Sequence, residues 1–307
     1  MHVLISGGSG LLGSTLARRL CAKEIAVTIL SRTPELVHLP RGARAVKWDA
    51  KSTAEWPEKL KPIDAVVNLC GESLAGKGLL TKSWTDAHKQ KVRNSRLESS
   101  AALCEWIEQS RTKPKIFIQQ SGIDYYQYSR AQTDEHGEKG SGFLSQLAQD
   151  WEASTAALDT TDMRYITTRT SPVLHPDKPP LLQWLWATQS LLGGVAGNGR
   201  QYLSWIHVGD YADIVTQMLT QDDFHGTYNL CAPNPLMYED AMLALGKVLN
   251  RPIWLPQPKK LLQSIMGEAS TMALDSRRVI PKRLTEEHQV KFTYPTFAEA
   301  VTQLTKI

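Results

Sequence analysis

The chain has 307 residues, of which 42% are hydrophobic, and it carries a formal net charge of +4. This much apolar material can form one large core, or a main domain with a smaller appendage, and it argues against a disordered or fibrous protein. Because the charge is small and the basic residues are spread along the chain, we expect a small-molecule substrate, not yet identified, and no nucleic acid partner.

The four cysteines are Cys21, Cys70, Cys104 and Cys231, and they show neither a C-x-x-C pair nor the spacing with histidine that is typical of metal sites. The chain lacks a secretory h-region, and no apolar run approaches the roughly 18 residues of a bilayer span. We therefore expect a cytoplasmic protein with reduced thiols, no bound metal and no membrane contact.

Short apolar runs alternate with amphipathic stretches up to residue 170. Helical patterns are clearest over 84–108 and 143–158. Strands separated by crossovers of this length predict an α/β fold with a Rossmann-type, doubly wound parallel sheet. The predicted strands are HVLIS (2–6), AVTIL (26–30), ARAVKW (43–48), DAVVNL (64–69), KIFIQQ (115–120) and YITTRT (165–170).

The pattern changes after residue 170, where proline clusters interrupt mostly helical pieces. We predict a Rossmann domain over 1–170, and strands from 203–232 are candidates for additional core strands of its sheet. The rest, 171–307, is predicted to be a smaller, mostly helical region that covers the ligand edge of the sheet and contacts the substrate. It ends in a helical domain from about residue 250 onward.

A glycine-rich segment, ISGGSGLLGSTLARRL, follows the first predicted strand and places Gly7, Gly10 and Gly13 before a predicted helix. In a dinucleotide-binding loop the first glycine permits a tight turn, the second lets the backbone approach a pyrophosphate, and the third allows close packing of the helix on the sheet. The phosphates face the helix N-terminus. The other residues of this loop that we expect to contact the cofactor are Ser9, Leu11 and Leu12.

The end of the second predicted strand reads TILSRTPE, with Ser31 and Arg32 at its tip. An acidic residue there would bind the ribose 2′-hydroxyl of NAD(H), whereas an arginine would bind the 2′-phosphate of NADP(H). The charge of Arg32 therefore favours NADP(H) over NAD(H). The alternative is that Arg32 is a solvated loop cation.

Two further strand ends belong to the same crevice, because ligands of such sheets lie at the carboxyl ends of the strands. Asp49 follows the third strand and is a candidate acceptor for the adenine amino group. Leu69, Cys70 and Gly71 follow the fourth strand, and their backbone is a candidate contact to the ribose. The sequence pattern offers no base that could deprotonate the Cys70 thiol. Cys70 is therefore more typical of a packing residue than of a nucleophile.

Several segments carry a resemblance to one family. They are SGGSGLLG, VVNLCGESL, SR at 95–96, SGIDYYQ, WE at 151–152, GNGRQYLSWIHVGD and SRRVIPKRL. Over nearly the whole chain these segments resemble the atypical extended short-chain dehydrogenase/reductases of the YfcH and SDR39U1 type, which are described as predicted nucleoside-diphosphate-sugar epimerases. The resemblance implies a Rossmann domain with bound NADP and a small helical C-terminal domain. It also marks Arg96 as a candidate contact to a cofactor phosphate or ribose, the alternative being a place on a solvated basic helix face.

The resemblance has one clear departure. Typical short-chain dehydrogenases combine a serine at the end of the fifth strand with a Tyr-x-x-x-Lys pair on the next helix, where the lysine cation stabilises the phenolate. Ser121 fits the serine, but the helix sequence GFLSQLAQDWE places Phe143 and Leu147 where the tyrosine and lysine belong. None of the nine tyrosines has a lysine four residues later. An atypical active site is therefore expected.

The candidate catalytic residues are Ser121, Tyr126 and His207. Tyr126, or its neighbour Tyr125, is a candidate substitute acid or base, and the alternative is that the two tyrosines line the pocket or pack over the sheet edge. For His207 the alternative is a structural role, and we expect Asp210 to cap the following helix. The residues predicted to line the substrate pocket are Tyr125, Phe143, Arg200, Gln201 and Trp205, although a core position is the alternative for Trp205.

Two functional hypotheses follow. The first is an NADP(H)-dependent oxidoreductase, epimerase or dehydratase that acts on a hydroxyl or carbonyl substrate, with nucleotide sugars included. The second is a non-catalytic NADP(H) sensor that has lost its acid/base pair. The sequence leaves the substrate, the direction of the reaction and the choice between monomer and homodimer open.

Overall fold

The computed structural model describes residues 1–54, 56–57, 60–76, 83–160 and 162–306. Its strands, in chain order, are β1 (His2–Ser6), β2 (Ala26–Ser31), β3 (Ala43–Lys47), β4 (Ala65–Asn68), β5 (Ile116–Gly122), β6 (Ser129–Thr133), β7 (Arg164–Thr170), β8 (Val173–Leu174), β9 (Gly194–Ala196), β10 (Tyr202–Leu203), β11 (Ile206–His207), β12 (Gly226–Leu230), β13 (Leu236–Met237), β14 (Leu255–Gln257) and β15 (Arg277–Val279). Its α-helices are α1 (Leu11–Cys21), α2 (Asp86–Gln109), α3 (Phe143–Ala153), α4 (Leu181–Gln189), α5 (Val208–Thr220), α6 (Tyr238–Leu249), α7 (Lys259–Met266), α8 (Thr271–Leu274), α9 (Lys282–Glu286) and α10 (Phe297–Thr305).

The main sheet has the strand order β12-β7-β5-β4-β1-β2-β3, and every pairing within it is parallel. This confirms the predicted fold class. The chain moves outward from β1 in one direction through β2 and β3, and then in the other direction from β4. The carboxyl ends of β1 and β4 therefore flank the topological switch point, which is where ligands bind in open sheets of this kind.

The central strands are apolar because helices cover both faces of the sheet. Val3 and Ile5 of β1 face a cluster that includes Leu16 of α1 and Met218 of α5. Leu4, which points the other way, packs in a second cluster that includes Leu103 of α2. These two layers fix the carboxyl edge of the sheet, above which the candidate site is built.

A third apolar cluster lies beyond residue 170 and is centred on α4, α6 and α10. From there the chain returns to the sheet edge through α7 and α8. Met266 packs with Trp84 and Leu144, and Lys89 of α2 forms an ion pair with Glu268. The C-terminal part of the chain therefore forms one wall of the crevice.

In the part of the chain that the structure describes, no helix is long and apolar enough to cross a membrane.

Candidate active site

A cavity of about 500 Å³ opens at the carboxyl edge of the sheet. On one side it is lined by Leu11 and Leu12, which begin α1, and its floor contains Ser121 at the end of β5. Met266 and Met272 line it from the C-terminal part of the chain. The glycine-rich loop, the candidate serine and the C-terminal region thus border one continuous space.

The glycine-rich loop has the geometry of an anion cradle. Gly7 has a φ of +68°, and a Cβ there would lie 2.7 Å from the Leu69 carbonyl oxygen. A Cβ on Gly13 would lie 2.5 Å from the Gly8 Cα, so this glycine permits the close approach of α1 to the loop. Gly10 begins α1 without any side-chain cap, which leaves the helix N-terminus free for a ligand. These residues fit the pyrophosphate of a dinucleotide.

At the end of β2, Ser31 is buried, and its hydroxyl accepts a hydrogen bond from the Thr33 amide at 3.2 Å. Arg32 is exposed and lies outside the described lining of the cavity. Asp49, after β3, accepts hydrogen bonds from the Lys51 and Ser52 amides at 2.8 and 3.0 Å, which holds the pKa of its carboxyl low through stabilisation of the charged form. The observed partners of Asp49 give it a local role in a turn, and its contact to adenine remains a prediction.

After β4, Gly71 lies against Arg96, since a Cβ on Gly71 would be 2.9 Å from the guanidinium carbon. Arg96 is buried and lines the cavity, stacked over the Trp151 ring with its guanidinium carbon 4.8 Å from the ring centroid. Its Nη1 donates to the carbonyl oxygens of Val92 and Glu72, and burial lowers the pKa of Arg96 to about 10. Carbonyl dipoles offset its charge only in part, so the side chain is suited to an anionic ligand.

Cys70 lies beside this arginine, and burial raises the pKa of its thiol. Raising the thiol pKa makes the nucleophilic thiolate scarcer. The surroundings of Cys70 therefore agree with the packing role and not with a nucleophile.

Ser121 is bonded to a buried ion pair. Its hydroxyl donates to Glu152 Oε1 at 2.7 Å, and Arg169 donates to both carboxylate oxygens of Glu152, from Nε and Nη2, at 2.8 Å each. The pairing of β5 with β7 places Ser121 and Arg169 side by side. The side chains of Arg169 and Glu152 are 7% and 16% exposed. Ser121 thus connects the cavity to a fixed carboxylate.

The structure corrects the prediction for Tyr126. Its side chain is 2% exposed, and its hydroxyl accepts from Arg169 Nη1 at 3.0 Å while donating to Asn229 Oδ1 at 2.8 Å. Burial also raises its pKa well above the usual value of a phenol. It lies outside the described lining of the cavity, as does Tyr125, whose ring packs against the Arg169 guanidinium with its centroid 3.3 Å from the guanidinium carbon. Both tyrosines hold the ion pair in place.

This role can be measured in the Tyr126→Phe variant. Removing the hydroxyl leaves Arg169 and Asn229 each short of one buried hydrogen bond, so we expect the free energy of unfolding to fall by about 1 to 3 kcal/mol. NADPH affinity should be unchanged. Tyr125→Phe, which keeps its ring on the guanidinium, is the matched control and should be near neutral in urea denaturation. Equal stability of both variants would contradict the structural role.

The α3 face that lines the cavity also differs from the prediction. It presents Leu144, Leu147, Ala148 and Trp151. Phe143 instead packs edge-on against Trp84, with ring centroids 5.5 Å apart, because successive helical positions point about 100° apart. The cavity-facing pairs with a spacing of four residues are Leu144 with Ala148 and Leu147 with Trp151. Neither pair contains a tyrosine or a lysine.

His207 has structural partners. Its Nδ1 accepts from the Gly209 amide at 2.9 Å and so caps α5, while Nε2 lies 2.9 Å from Gln303 Oε1. Burial lowers its pKa. The predicted cap, Asp210, instead accepts from the amides of Thr293 and Tyr294. His207 is absent from the described cavity lining, so the structure corrects both predictions.

The other predicted pocket residues also lie away from the large cavity. Trp205 is fully buried and packs edge-on against Phe297. The Gln201 side chain donates to the carbonyl oxygens of Ala196 and Ala273 and lines only a small adjoining cavity. Arg200 is exposed on the preceding loop. Through the contacts of Gln201 with Ala273 and of Trp205 with Phe297, this segment stabilises the C-terminal part of the chain.

Residues 3–231 match the model of the NAD dependent epimerase/dehydratase family. The chain belongs to this family. Residues 257–304 match a domain of unknown function, DUF1731. The similar proteins include the human epimerase family protein SDR39U1, 31% identical over 307 residues, with 99% of each chain covered. Another is the epimerase family protein ML0860 of Mycobacterium leprae, 32% identical over 306 residues, with 99% of this chain and 95% of the relative covered.

A crystal structure of human SDR39U1 with NADPH matches with a TM-score of 0.89 and 30% identity, covering 100% of this chain and 99% of the human one. UDP-glucose 4-epimerase from Thermotoga maritima matches with a TM-score of 0.79 at 13% identity, which shows a shared fold alone. The resemblance stated from the sequence motifs is thereby confirmed.

For this member of the epimerase/dehydratase family, sequence reasoning missed two residues of the site. Glu152 lies within the matched WE dipeptide, and Arg169 is the one charged residue among the six buried positions of β7. A charged residue inside such a strand is a usable signal, because it requires a buried partner of opposite charge. The sequence does not reveal that the partner is Glu152.

Proposed function

We propose that the chain binds NADP(H) and uses it as an oxidoreductase or epimerase on a hydroxyl or carbonyl substrate. The observation that carries this proposal is the single cavity that joins the glycine-rich loop to Ser121. The presence of NADPH in the human relative's structure supports the choice of cofactor.

The chain's own residues fit each part of this cofactor. The uncapped N-terminus of α1 would face the pyrophosphate, and Arg32 would pair with the 2′-phosphate. Arg96 supplies a second cation, which is buried beside Gly71. When bound, the nicotinamide exchanges a hydride with a substrate carbon.

Ser121 is the proposed proton-handling residue. Its hydroxyl proton already points to Glu152, which leaves the oxygen lone pairs of Ser121 free to accept a proton from a substrate hydroxyl. A proton accepted by Ser121 can be passed to Glu152, which Arg169 holds in a fixed orientation. This arrangement would replace the usual tyrosine and lysine.

The non-catalytic sensor remains the second candidate, because the α3 residues that face the cavity carry no proton donor apart from the Trp151 indole. Steady-state assays of NADPH oxidation with a panel of carbonyl compounds distinguish the two. Turnover that is lost in Ser121→Ala, with NADPH binding intact, supports the enzyme. Tight NADPH binding without turnover supports the sensor.

Calorimetric titration of Arg32→Ala tests the cofactor assignment. Losing a charge-assisted contact to the 2′-phosphate should weaken NADPH binding about 10- to 100-fold. NADH affinity should be unchanged, since NADH lacks this phosphate. Arg111→Ala is the control, because Arg111 is exposed but precedes β5, at the opposite edge of the parallel sheet. Equal losses for NADPH and NADH, or no loss for either, would contradict the assignment.

A further inference from the structure

We infer that the substrate is a predominantly apolar alcohol or ketone rather than a sugar nucleotide. This inference rests on the proposed function, because it concerns the occupant of the same cavity. Three properties of that cavity carry it: its apolar walls, its shortage of positive charge, and the position of its polar groups.

The walls on both sides of Ser121 are apolar. On one side α3 presents Leu144, Leu147 and Ala148. The C-terminal part of the chain supplies the facing wall, whose members share large apolar side chains. They are Trp184, Leu203, Met266 and Met272, and two polar residues of the same part of the chain, Gln183 and Tyr238, also line the cavity. Such walls gain free energy by covering hydrocarbon, and they offer few hydrogen bonds to the hydroxyl groups of a sugar.

Among the residues that the structure describes, positive charge is scarce in the part of the cavity left for a substrate diphosphate. Among the described residues that line the cavity, the cations are Arg96 and Lys178. Arg96 lies beside Gly71, on the side of the cavity assigned to the cofactor. Lys178 is exposed, so a single flexible cation remains for the substrate.

The adjoining small cavity does not supply the missing charge. Its arginine, Arg277, donates to Asp124 Oδ1 from Nε at 2.8 Å and from Nη2 at 2.7 Å, so its charge is already paired. Asp275 lines the same space and carries a carboxyl group. A diphosphate placed here would lose its hydration without gaining the bidentate cations that phosphates require.

One group of polar side chains in the cavity lies at the carboxyl ends of β5 and β7. Gln120 and Ser121 lie near the end of β5, Thr170 is the last residue of β7, and Ser171 follows it. This distribution fits a ligand with one oxygen at Ser121 and an apolar remainder between α3 and the methionines.

The test uses full-length protein saturated with NADPH and titrated by calorimetry with two probes, 4-phenyl-2-butanol and UDP-glucose. Neither probe can accept a hydride from NADPH at its alcohol carbons, because those carbons are already at the alcohol level. The titration therefore measures binding alone. We expect the aryl alcohol to bind at least about 10-fold more tightly than UDP-glucose, since only its apolar area is matched by the walls.

Met272→Gln provides the variant. The two side chains have similar shape and Met272 is 39% exposed, so the fold should be retained while the wall becomes polar. Affinity for the aryl alcohol should fall about 3- to 10-fold. Leu243→Gln, on an exposed position of α6 outside the described cavity lining, is the matched control and should bind like the unmodified protein.

The outcomes separate the two proposals. Failure of NADPH to bind at the first step would overturn the proposed function, and this inference with it. If NADPH binds, the inference alone is overturned by any of three results: UDP-glucose binding as tightly as the aryl alcohol, no binding of the alcohol, or equal alcohol affinity in the Met272 and Leu243 variants.

Discussion

Arg169→Met is expected to lower the free energy of unfolding by about 3 to 5 kcal/mol, because it leaves the Glu152 carboxylate buried without its partner. Two hydrogen bonds of 2.8 Å join these groups, and both side chains are largely hidden from water. The variant also removes the Nη1 donor to Tyr126 and the cation packed on Tyr125. Urea denaturation measures the loss.

A surface ion pair between α2 and α3 supplies the control. Arg93 Nε lies 3.0 Å from Asp150 Oδ2, but the Arg93 side chain is 44% exposed. Arg93→Met should therefore cost about 1 kcal/mol or less. Glu152→Gln combined with Arg169→Met should lose less than the sum of the two single variants, because no uncompensated charge remains. Equal effects of Arg169→Met and Arg93→Met would refute a stabilising role for the buried pair.

Gly7→Ala is the second large change. A non-glycine residue at this positive φ is strained, and the new Cβ would meet the Leu69 carbonyl oxygen at 2.7 Å, a backbone atom that cannot rotate away. Together the strain and the required shift of β4 should cost about 2 to 4 kcal/mol of unfolding free energy. NADPH binding should weaken as well, because the turn positions the N-terminus of α1. Thermal denaturation and calorimetric titration measure the two effects.

Gly76→Ala separates the effect of backbone strain from the effect of a steric clash with a neighbouring atom. Gly76 has a φ of +73°, close to that of Gly7, but no atom of the described residues lies within 4 Å of an added Cβ. This variant should lose about 1 to 2 kcal/mol from the backbone alone, with NADPH affinity unchanged. If Gly7→Ala proved no worse than Gly76→Ala, the close contact with Leu69 would be unimportant for the loop.

In the proposed active site, a serine and a carboxylate take the place of the usual tyrosine and lysine. The positions on α3 that face the cavity are apolar, whereas Ser121 is bonded to a carboxylate that comes from the same helix one turn further on.

The sequence by itself determined the fold class and the glycine-rich loop. Both depend on local patterns: apolar strands that alternate with helices, and glycines where the backbone leaves too little room for a Cβ. The family resemblance rested on motifs spread over nearly the whole chain, and the match over residues 3–231 agrees with it.

Only the tertiary structure decided which polar residues face the cavity. Tyr126 and Asn229 are 103 positions apart in the chain, and Ser121 meets Arg169 only because β5 and β7 are neighbours in the sheet. A phenol next to a candidate serine gives the same sequence pattern whether it points to the ligand or into the core. Its burial and its partners distinguish the two, and both arise from the packing of distant segments.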